Sequence, residues 1–314
     1  MRIQSLPLGV DLGTSRIRVV HSVLRGARRL VRAVAVRDVS AGAITSDDVV
    51  EPEYVAALLE DAVRELRTTE RRCVGALGRP AAKLNGIRLP AMTSFERTRT
   101  AHFEASRYIE YPVTEAIVRI QRLGDDSHLW VLGIVRARTL KARVACLRRA
   151  RLRVRGMSDE GCVLRRCLPR YDAVLDIGEY RSTLHLANSL ETFQSDSGGA
   201  EITSAIESDL NLGRAPAETR KRIVGTAGAG ERAKAKLIAS LASLFQDAAG
   251  IAACQRVAVV GNGARLPGLL EDLMAATGSV CEFAVSHALD GEIYSKDVLC
   301  AGAPDWTLAA ALAV

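Results

Sequence analysis

The stretch GVDLGTSRIRVV, residues 9–20, runs an apolar strand into an Asp, then Gly-Thr-Ser, and then resumes as strand. Far downstream LDIGEYRSTLHL, residues 175–186, repeats the arrangement. In both copies a strand leads into an Asp-x-Gly turn, an Arg stands three residues past the Gly (Arg16, Arg181), and a strand follows. One such turn reads equally well as a plain hairpin. Two in matching contexts form an internal repeat, which implies two similar lobes with a cleft between them.

The chemistry of the turn points to polyphosphate. Glycine permits positive φ and close backbone approach. Backbone N–H groups in such a turn cradle phosphate oxygens, and following hydroxyls add donors. The Asp repels phosphate directly but can hold Mg²⁺, usually through water, and the metal then bridges to the phosphates. A third loop extends the pattern. AVVGNGARLPGLLEDL, from residue 258, reads as a buried strand, then Gly261-Asn262-Gly263, then a helix starting near Pro267-Gly268. Paired glycines there let a purine and ribose lie against the backbone.

The rest of the chain fits an α/β pattern. Residues 7–39 read as a β-meander, broken by Gly-containing turns. Val55, Leu58, Leu59, Ala62, Val63 and Leu66 recur at helical spacing behind Pro52. RCVGALGRP and LNGIRLPAM are strand-like. Thr93-x-x-Glu96 opens a helix as a capping box. EYPVTEAIVRIQRLG and HLWVLGIVRA are strands, and RTLKARVACLRRARLRVR, residues 138–155, is read as a helix. After the second meander, AEITSAIESDLNLG is a helix expected to stop at its Gly. A polar helical segment, a long helix and the closing helix DWTLAAALAV follow.

Composition bounds the function. The chain has 314 residues, 48% hydrophobic and only 4% aromatic, so its cores are aliphatic. No apolar run approaches the roughly 18 residues of a membrane span, and MRIQSLPLGV lacks the features of a signal peptide. A soluble cytoplasmic protein is expected. The net charge of +7 is carried by Arg far more than Lys. Its basic runs are not interleaved with aromatics, so nucleic acid is not an expected partner. The seven Cys include no Cys-x-x-Cys pair, which argues for reduced thiols rather than disulfides or zinc.

The order of first Asp-x-Gly turn, second Asp-x-Gly turn and Gly-x-Gly-x-x-x-Pro-Gly loop resembles the actin-like ATPases, which include actin, Hsp70-type chaperones, sugar kinases and FtsA. Within that group the chain most resembles the PilM family of type IV pilus assembly. RLPAMTSFERTRTAHFEASRYIEYPVTEAIVRIQRLG, SDSGGAEITSAIESDLNLGRAPAETRKR and DWTLAAALAV carry the narrower likeness. It runs from about residue 7 to the end.

The resemblance implies a two-lobed actin-like (ribonuclease H-like) α/β fold with an inserted α/β subdomain of the FtsA/PilM type. The first lobe is expected over 1–84 with 150–175 and the insert over 85–149. The second lobe is expected over 176–314, with a small helical subdomain at about 200–252. ATP and Mg²⁺ are the implied ligands, with Asp11 and Asp176 flanking the metal through water. Gly13, Thr14, Ser15, Gly178, Ser182 and Thr183 are implied on the phosphates. Gly198, Gly199, Glu218, Lys221, Gly261, Asn262, Gly263 and Arg265 are implied around the adenosine. Glu218 and Lys221 read equally as an exposed helix face. Glu160 is the candidate for positioning water in hydrolysis, and reads also as a solvated Glu at a helix N-terminus.

Departures from the family pattern bear on turnover. Arg16 stands where a small hydroxyl is usual, Arg18 where Lys is common, and Glu179, Tyr180 and Arg181 where small residues are favoured. Asn262 replaces the second Gly of the adenosine loop. Arg16 or Arg181 can bind phosphate bidentately, or fill the γ-phosphate space, so slow or absent hydrolysis is expected. The implied partner is the cytoplasmic N-terminal tail of a PilN-like inner-membrane protein. The tail is expected in a groove between the insert and the first lobe, with membrane contact only through it. Self-association is a further expectation. The alternatives are a sugar-kinase-like phosphotransferase, which lacks a convincing Asp base here, and an FtsA-like filament. The latter would want a basic amphipathic C-terminal helix, and DWTLAAALAV has no Lys or Arg.

Overall fold

The computed structural model describes residues 3–45, 48–79, 81–124, 126, 128–284 and 303–313. The first meander is β2 (Leu8–Leu12), β3 (Arg16–Arg25) and β4 (Arg28–Asp38), preceded by the short β1 (Ile3–Ser5). Then come α1 (Pro52–Glu65), β5 (Arg72–Leu77), β6 (Ala82–Arg88), α2 (Ser94–Ala105), β7 (Ala116–Arg122), β8 (Leu129–Arg136), α3 (Ala137–Arg149), β9 (Arg153–Asp159) and α4 (Glu160–Cys167). The second meander is β10 (Ala173–Ile177), β11 (Ser182–Leu186) and β12 (Thr192–Ser195). It is followed by α5 (Gly199–Leu210), α6 (Arg214–Ile223), α7 (Glu231–Ala249), β13 (Arg256–Val260), α8 (Leu269–Thr277), β14 (Val280–Phe283) and the closing α9 (Thr307–Leu312).

The repeat seen in the sequence is a repeat of topology. One sheet has the order β12-β11-β10-β13-β14. β10 is antiparallel to β11 and parallel to β13, and β13 is parallel to β14. The six-stranded sheet runs β3-β2-β5-β9 with β4 and β1 both on β3, and β5 is parallel to β9. In each sheet the strand that ends at the Asp lies between its meander partner and a later strand.

The chain divides into two compact units. One comprises Met1–Gly9, Val19–Val34 and Gly161–Val314; the other comprises Val10–Arg18 and Ala35–Glu160. In the first, alternate residues of the second-meander sheet serve two layers, as period-2 side-chain geometry requires. Leu175, Ile177, Leu184, Val257 and Val259 pack with Ile202, Ile206, Leu237, Leu241 and Leu273 of the helices. Val174, Ala258 and Val260 face the other way, onto Leu164, Leu168 and Leu308. The closing helix is seated on β2 by Gly9, where a Cβ would strike the Ala309 carbonyl. In the other unit, α1 and α3 pack together, and α2 covers the β6-β8-β7 sheet through Ala101, Ala105, Val118, Leu132 and Ile134.

The capping box forms as expected. Thr93 Oγ1 accepts from the Glu96 N–H, and the Glu96 carboxylate accepts from the Thr93 N–H at 2.8 Å. Pro52 opens α1. Two boundaries differ from the sequence expectation. The helix expected over 138–155 ends at Arg149, and Arg153–Asp159 is a strand pairing with β5. The α5 helix ends at Asn211, which takes the left-handed conformation (φ 51°) instead of the Gly, because Asn tolerates αL. Gly213 is instead the N-cap of α6. Burial pushes the Cys73 thiol up to about 12, and those of Cys146, Cys167 and Cys281 up to about 11. Cys300 lies outside the described residues.

Candidate functional site

Each Asp-x-Gly turn is closed by the same hydrogen bond. The Gly13 N–H donates to the Arg16 carbonyl at 3.0 Å, and the Gly178 N–H donates to the Arg181 carbonyl at 2.9 Å. Neither glycine has positive φ. Glycine is required for another reason: a Cβ at either position would lie 2.8 Å from that same carbonyl. The Arg three residues on is clasped in both copies. Arg16 Nε donates to Asp38 Oδ1 at 2.8 Å, and Arg181 Nε donates to Asp196 Oδ1 at 3.1 Å. Both bulky departures from the family pattern are thus ion-paired beside their turns.

Around the first turn, Asp11 Oδ2 lies 3.7 Å from Arg18 Nη1, and both side chains are largely buried. Thr14 and Ser15 form the partly buried bend, and the Ser15 carbonyl accepts from the Val39 N–H at 2.9 Å. Glu160 is the first residue of α4, and its carboxylate sits where a Cβ on Gly78 would be. Asp11 and Glu160 both act electrostatically on the buried Arg143 of α3. Within this unit the fold therefore brings two of the acidic candidates to one cation.

Around the second turn, the glycines converge. A Cβ on Gly261 (φ 91°) would overlap the Asp176 carboxylate and the Ile177 carbonyl. A Cβ on Gly263 would press on Ile177, and one on Gly198 would lie 2.8 Å from the Gly178 carbonyl. Three glycine segments distant in sequence are thus packed backbone to backbone beside Asp176. The first turn of α5 caps this cluster: the Gly199 N–H donates to the Gly178 carbonyl at 3.0 Å, and the Ala200 N–H to the Glu179 carbonyl at 2.8 Å. The Ser182 hydroxyl is fully buried and donates to the Ser197 carbonyl at 2.8 Å, while Thr183 pairs with Asp176 in the strand register.

Glu218 and Lys221 do not form an exposed face. Lys221 is 7% exposed. Its Nζ donates to the Gly199 carbonyl at 3.0 Å and to Thr203 Oγ1 at 2.7 Å, and pairs with Glu218 Oε2 at 2.6 Å. Burial by itself raises the Glu218 carboxyl, but the Lys221 charge and the Lys221 and Thr203 hydrogen bonds outweigh it. The group is held below the ordinary carboxylate value. The network joins α6 to the Gly198-Gly199 segment.

Sequence reasoning missed Arg222, Thr203 and Asp305. Arg222 donates to Glu218 Oε1 at 2.9 Å and to Asn262 Oδ1 at 3.2 Å, which ties α6 to the Gly261–Gly263 loop. The signal for it was its place four residues after Glu218 on one helix face. Asp305 is buried and lies 3.7 Å from Arg265 Nη1. Nothing in its local sequence announces that contact.

No protein-family model matches the chain. Solved structures do. The chain aligns with the PilM–PilN type IV pilus biogenesis complex at 24% identity and a TM-score of 0.85, over 98% of this chain and 97% of that one. It aligns with the ethanolamine utilization protein EutJ from Carboxydothermus hydrogenoformans at 16% identity and a TM-score of 0.61, over 100% and 90%. Component A of the (R)-2-hydroxyglutaryl-CoA dehydratase of Acidaminococcus fermentans aligns at 10% identity and a TM-score of 0.50, over 99% and 96%. The chain has the actin-like α/β fold that the family resemblance implies.

Proposed function

We propose that this protein is an actin-like nucleotide-binding adaptor of type IV or competence pilus assembly. The observation that carries the nucleotide half of the reading is the convergence of Gly198-Gly199, Gly261–Gly263, Glu218 and Lys221 beside Asp176. Glycine backbones with a charged pair at their rim suit a ribose and a flat base. The full-length likeness to the PilM–PilN complex structure supports the pilus half.

The residues fit ATP with Mg²⁺. Each turn supplies one carboxylate, a hard oxygen donor, and Mg²⁺ keeps several waters and takes phosphate oxygens for the rest of its shell. In this reading Asp11 and Asp176 would each serve Mg²⁺ through water, the residues of each turn would take phosphate oxygens, and Arg18 and Arg265 would add positive charge beside them. Mg²⁺ bound there would supply charge neutralisation of the phosphates. Arg16, Tyr180 and Arg181 crowd the turns, so turnover is slow and the nucleotide acts as a conformational ligand. Glu160 is the residue assigned to orienting water in any hydrolysis that occurs. The functional divisions are the lobes 1–84 with 150–175 and 176–314, and the insert 85–149.

The partner is a PilN-like cytoplasmic N-terminal tail, which would hold the protein at the inner face of the inner membrane. No helix among the described residues is long and apolar enough to cross a membrane itself. One face of α3 carries Leu140, Val144 and Ala145 flanked by Lys141, Arg148 and Arg149. An apolar strip with cationic flanks suits a short apolar segment bearing carboxylates.

Calorimetric titration tests the reading. Wild type should bind ATP with Mg²⁺, Asp11→Ala should bind none, and a synthetic tail peptide should bind with an affinity lowered by Lys141→Glu. Equal Mg²⁺-ATP affinity in wild type and Asp11→Ala removes the assigned site.

A further inference from the structure

Arg143 lies on the face of α3 that turns away from solvent, and it is 5% exposed. Its Nη1 donates to the Leu12 carbonyl at 3.1 Å, and its Nη2 donates to the Thr45 carbonyl at 3.4 Å. Its Nε is buried with no hydrogen-bond partner among the described residues. Leu12 is the middle residue of the first Asp-x-Gly turn. The Leu12 carbonyl and the Gly13 N–H belong to one peptide group, and that N–H is held by the Arg16 carbonyl at 3.0 Å. The Leu12–Gly13 peptide, one residue past Asp11, is therefore gripped at both ends, by a backbone carbonyl on one side and a guanidinium on the other.

A guanidinium this deep is costly unless it is compensated. Burial draws it below the ordinary arginine value, and Glu160, Asp11 and Asp48, with Cys146 of its own helix, act against that. Arginine stays charged in proteins, so the site maintains a buried cation against the carbonyl and carboxylate of the turn. An apolar side chain of similar length would fill the space at less cost. The retained charge calls for a role beyond packing.

We propose that Arg143 is a positioning residue for the first Asp-x-Gly turn, fixing the Leu12–Gly13 peptide and with it the Asp11 carboxylate for Mg²⁺-bound nucleotide. The inference rests on the nucleotide reading above. A carboxylate that orients metal-bound water binds the hydrated metal less well when it is displaced, because Mg²⁺ demands near-octahedral geometry of its water shell. Arg143 touches neither nucleotide nor metal; it acts through Leu12.

The test uses the full chain. ATP affinity is measured with Mg²⁺ and with EDTA for wild type, Arg143→Met and Arg143→Lys, and the readout is the ratio of the two, the Mg²⁺-dependent gain. A merely structural role lowers stability and leaves that ratio alone. The expected result is a gain reduced tenfold or more in Arg143→Met, and partial recovery in Arg143→Lys, which keeps the charge but cannot bridge Leu12 and Thr45 together. Wild-type gain followed within twofold by both variants overturns the inference and leaves the nucleotide reading standing. A wild type with no Mg²⁺-dependent gain overturns both. Where a variant fails to fold, hydrogen exchange of the wild type decides: Mg²⁺-ATP should slow exchange in residues 139–147 together with 9–16, and protection of 9–16 alone rejects the link through α3.

Discussion

The two Asp-x-Gly turns share their hydrogen bond, their glycine requirement and their Arg–Asp clasp, yet they are supported differently. In the first, the carbonyl of the central peptide accepts from Arg143, and the carboxylate stands 3.7 Å from Arg18. In the second, the corresponding carbonyl of Ile177 is packed against Gly261 and Gly263, and the carboxylate of Asp176 lies against Gly261. One copy is held by buried cations, the other by close-packed glycine backbone. The two copies share one backbone geometry within two different environments. The cationic copy is the one expected to depend on charge, and the glycine copy on shape.

The largest effect should come from the shape side. At Gly261 (φ 91°, ψ 170°) a Cβ overlaps both the Asp176 carboxylate and the Ile177 carbonyl. That backbone region costs a non-glycine residue about 1–3 kcal/mol by itself, and overlap with backbone adds to it. Gly261→Ala should cost about 4 kcal/mol and remove ATP binding. Gly42→Ala is the control, since its φ is 86° but nothing lies within 4 Å of its added Cβ. It should cost about 1 kcal/mol by strain alone. Thermal unfolding and titration of both check this, and equal losses in the two variants would mean that close packing at Asp176 is not what holds the second turn.

The next effect is electrostatic and lies at the rim of the second site. Glu218 is held below the ordinary carboxylate value of 4.5, so the folded state binds its proton less readily than the unfolded chain. Its contribution is fully present above the unfolded value and is lost as pH falls through the lower folded one. Glu218→Gln should cost about 2 kcal/mol at neutral pH, because Lys221 loses its counter-charge while buried. The variant should also show a shallower loss of stability than wild type below pH 4.5. Parallel acid-unfolding curves would count against the pair. The same substitution should weaken ATP with or without Mg²⁺, in contrast to Arg143, which is expected to act on the Mg²⁺-dependent part alone.

What could be read from the sequence follows from the range of each interaction. The turns, the Gly261–Gly263 loop, the capping box at Thr93 and the amphipathic α1 are local patterns, and all appeared where expected. The first three residues of β9, 153–155, read as helix from sequence because RLRVR follows a true helix without a breaker. Its charged-apolar alternation was the period-2 signal that should have ended the helix at Arg149. Lys221 could be read as a surface lysine because its burial comes from Gly199 and Thr203 on another helix. Arg143 gave no sign at all: its contacts are 131 and 98 residues away in the chain, and an Arg among the many of α3 looks like any other. Polar groups that work from inside a fold take their meaning from tertiary partners, so they are the last to be legible.

The smallest effect sharpens the comparison most directly, because it concerns the feature the two copies share. Arg16–Asp38 and Arg181–Asp196 have nearly equal geometry, and their carboxylates are 83% and 81% exposed. Pairs exposed to this degree are worth less than about 1 kcal/mol, so Asp38→Asn and Asp196→Asn should each shift stability by a few tenths. Their value lies in what they release. Freed of its carboxylate, each Arg can reach toward phosphate, so either variant should raise ATP affinity by about two- to fivefold at low salt, with the gain fading at high salt. Equal gains would mean that the two turns meet the nucleotide symmetrically. A gain confined to Asp38→Asn would assign the phosphate-facing role to the cation-supported copy, and reduced affinity in both would make the clasps, rather than free guanidinium groups, the working form of the turns.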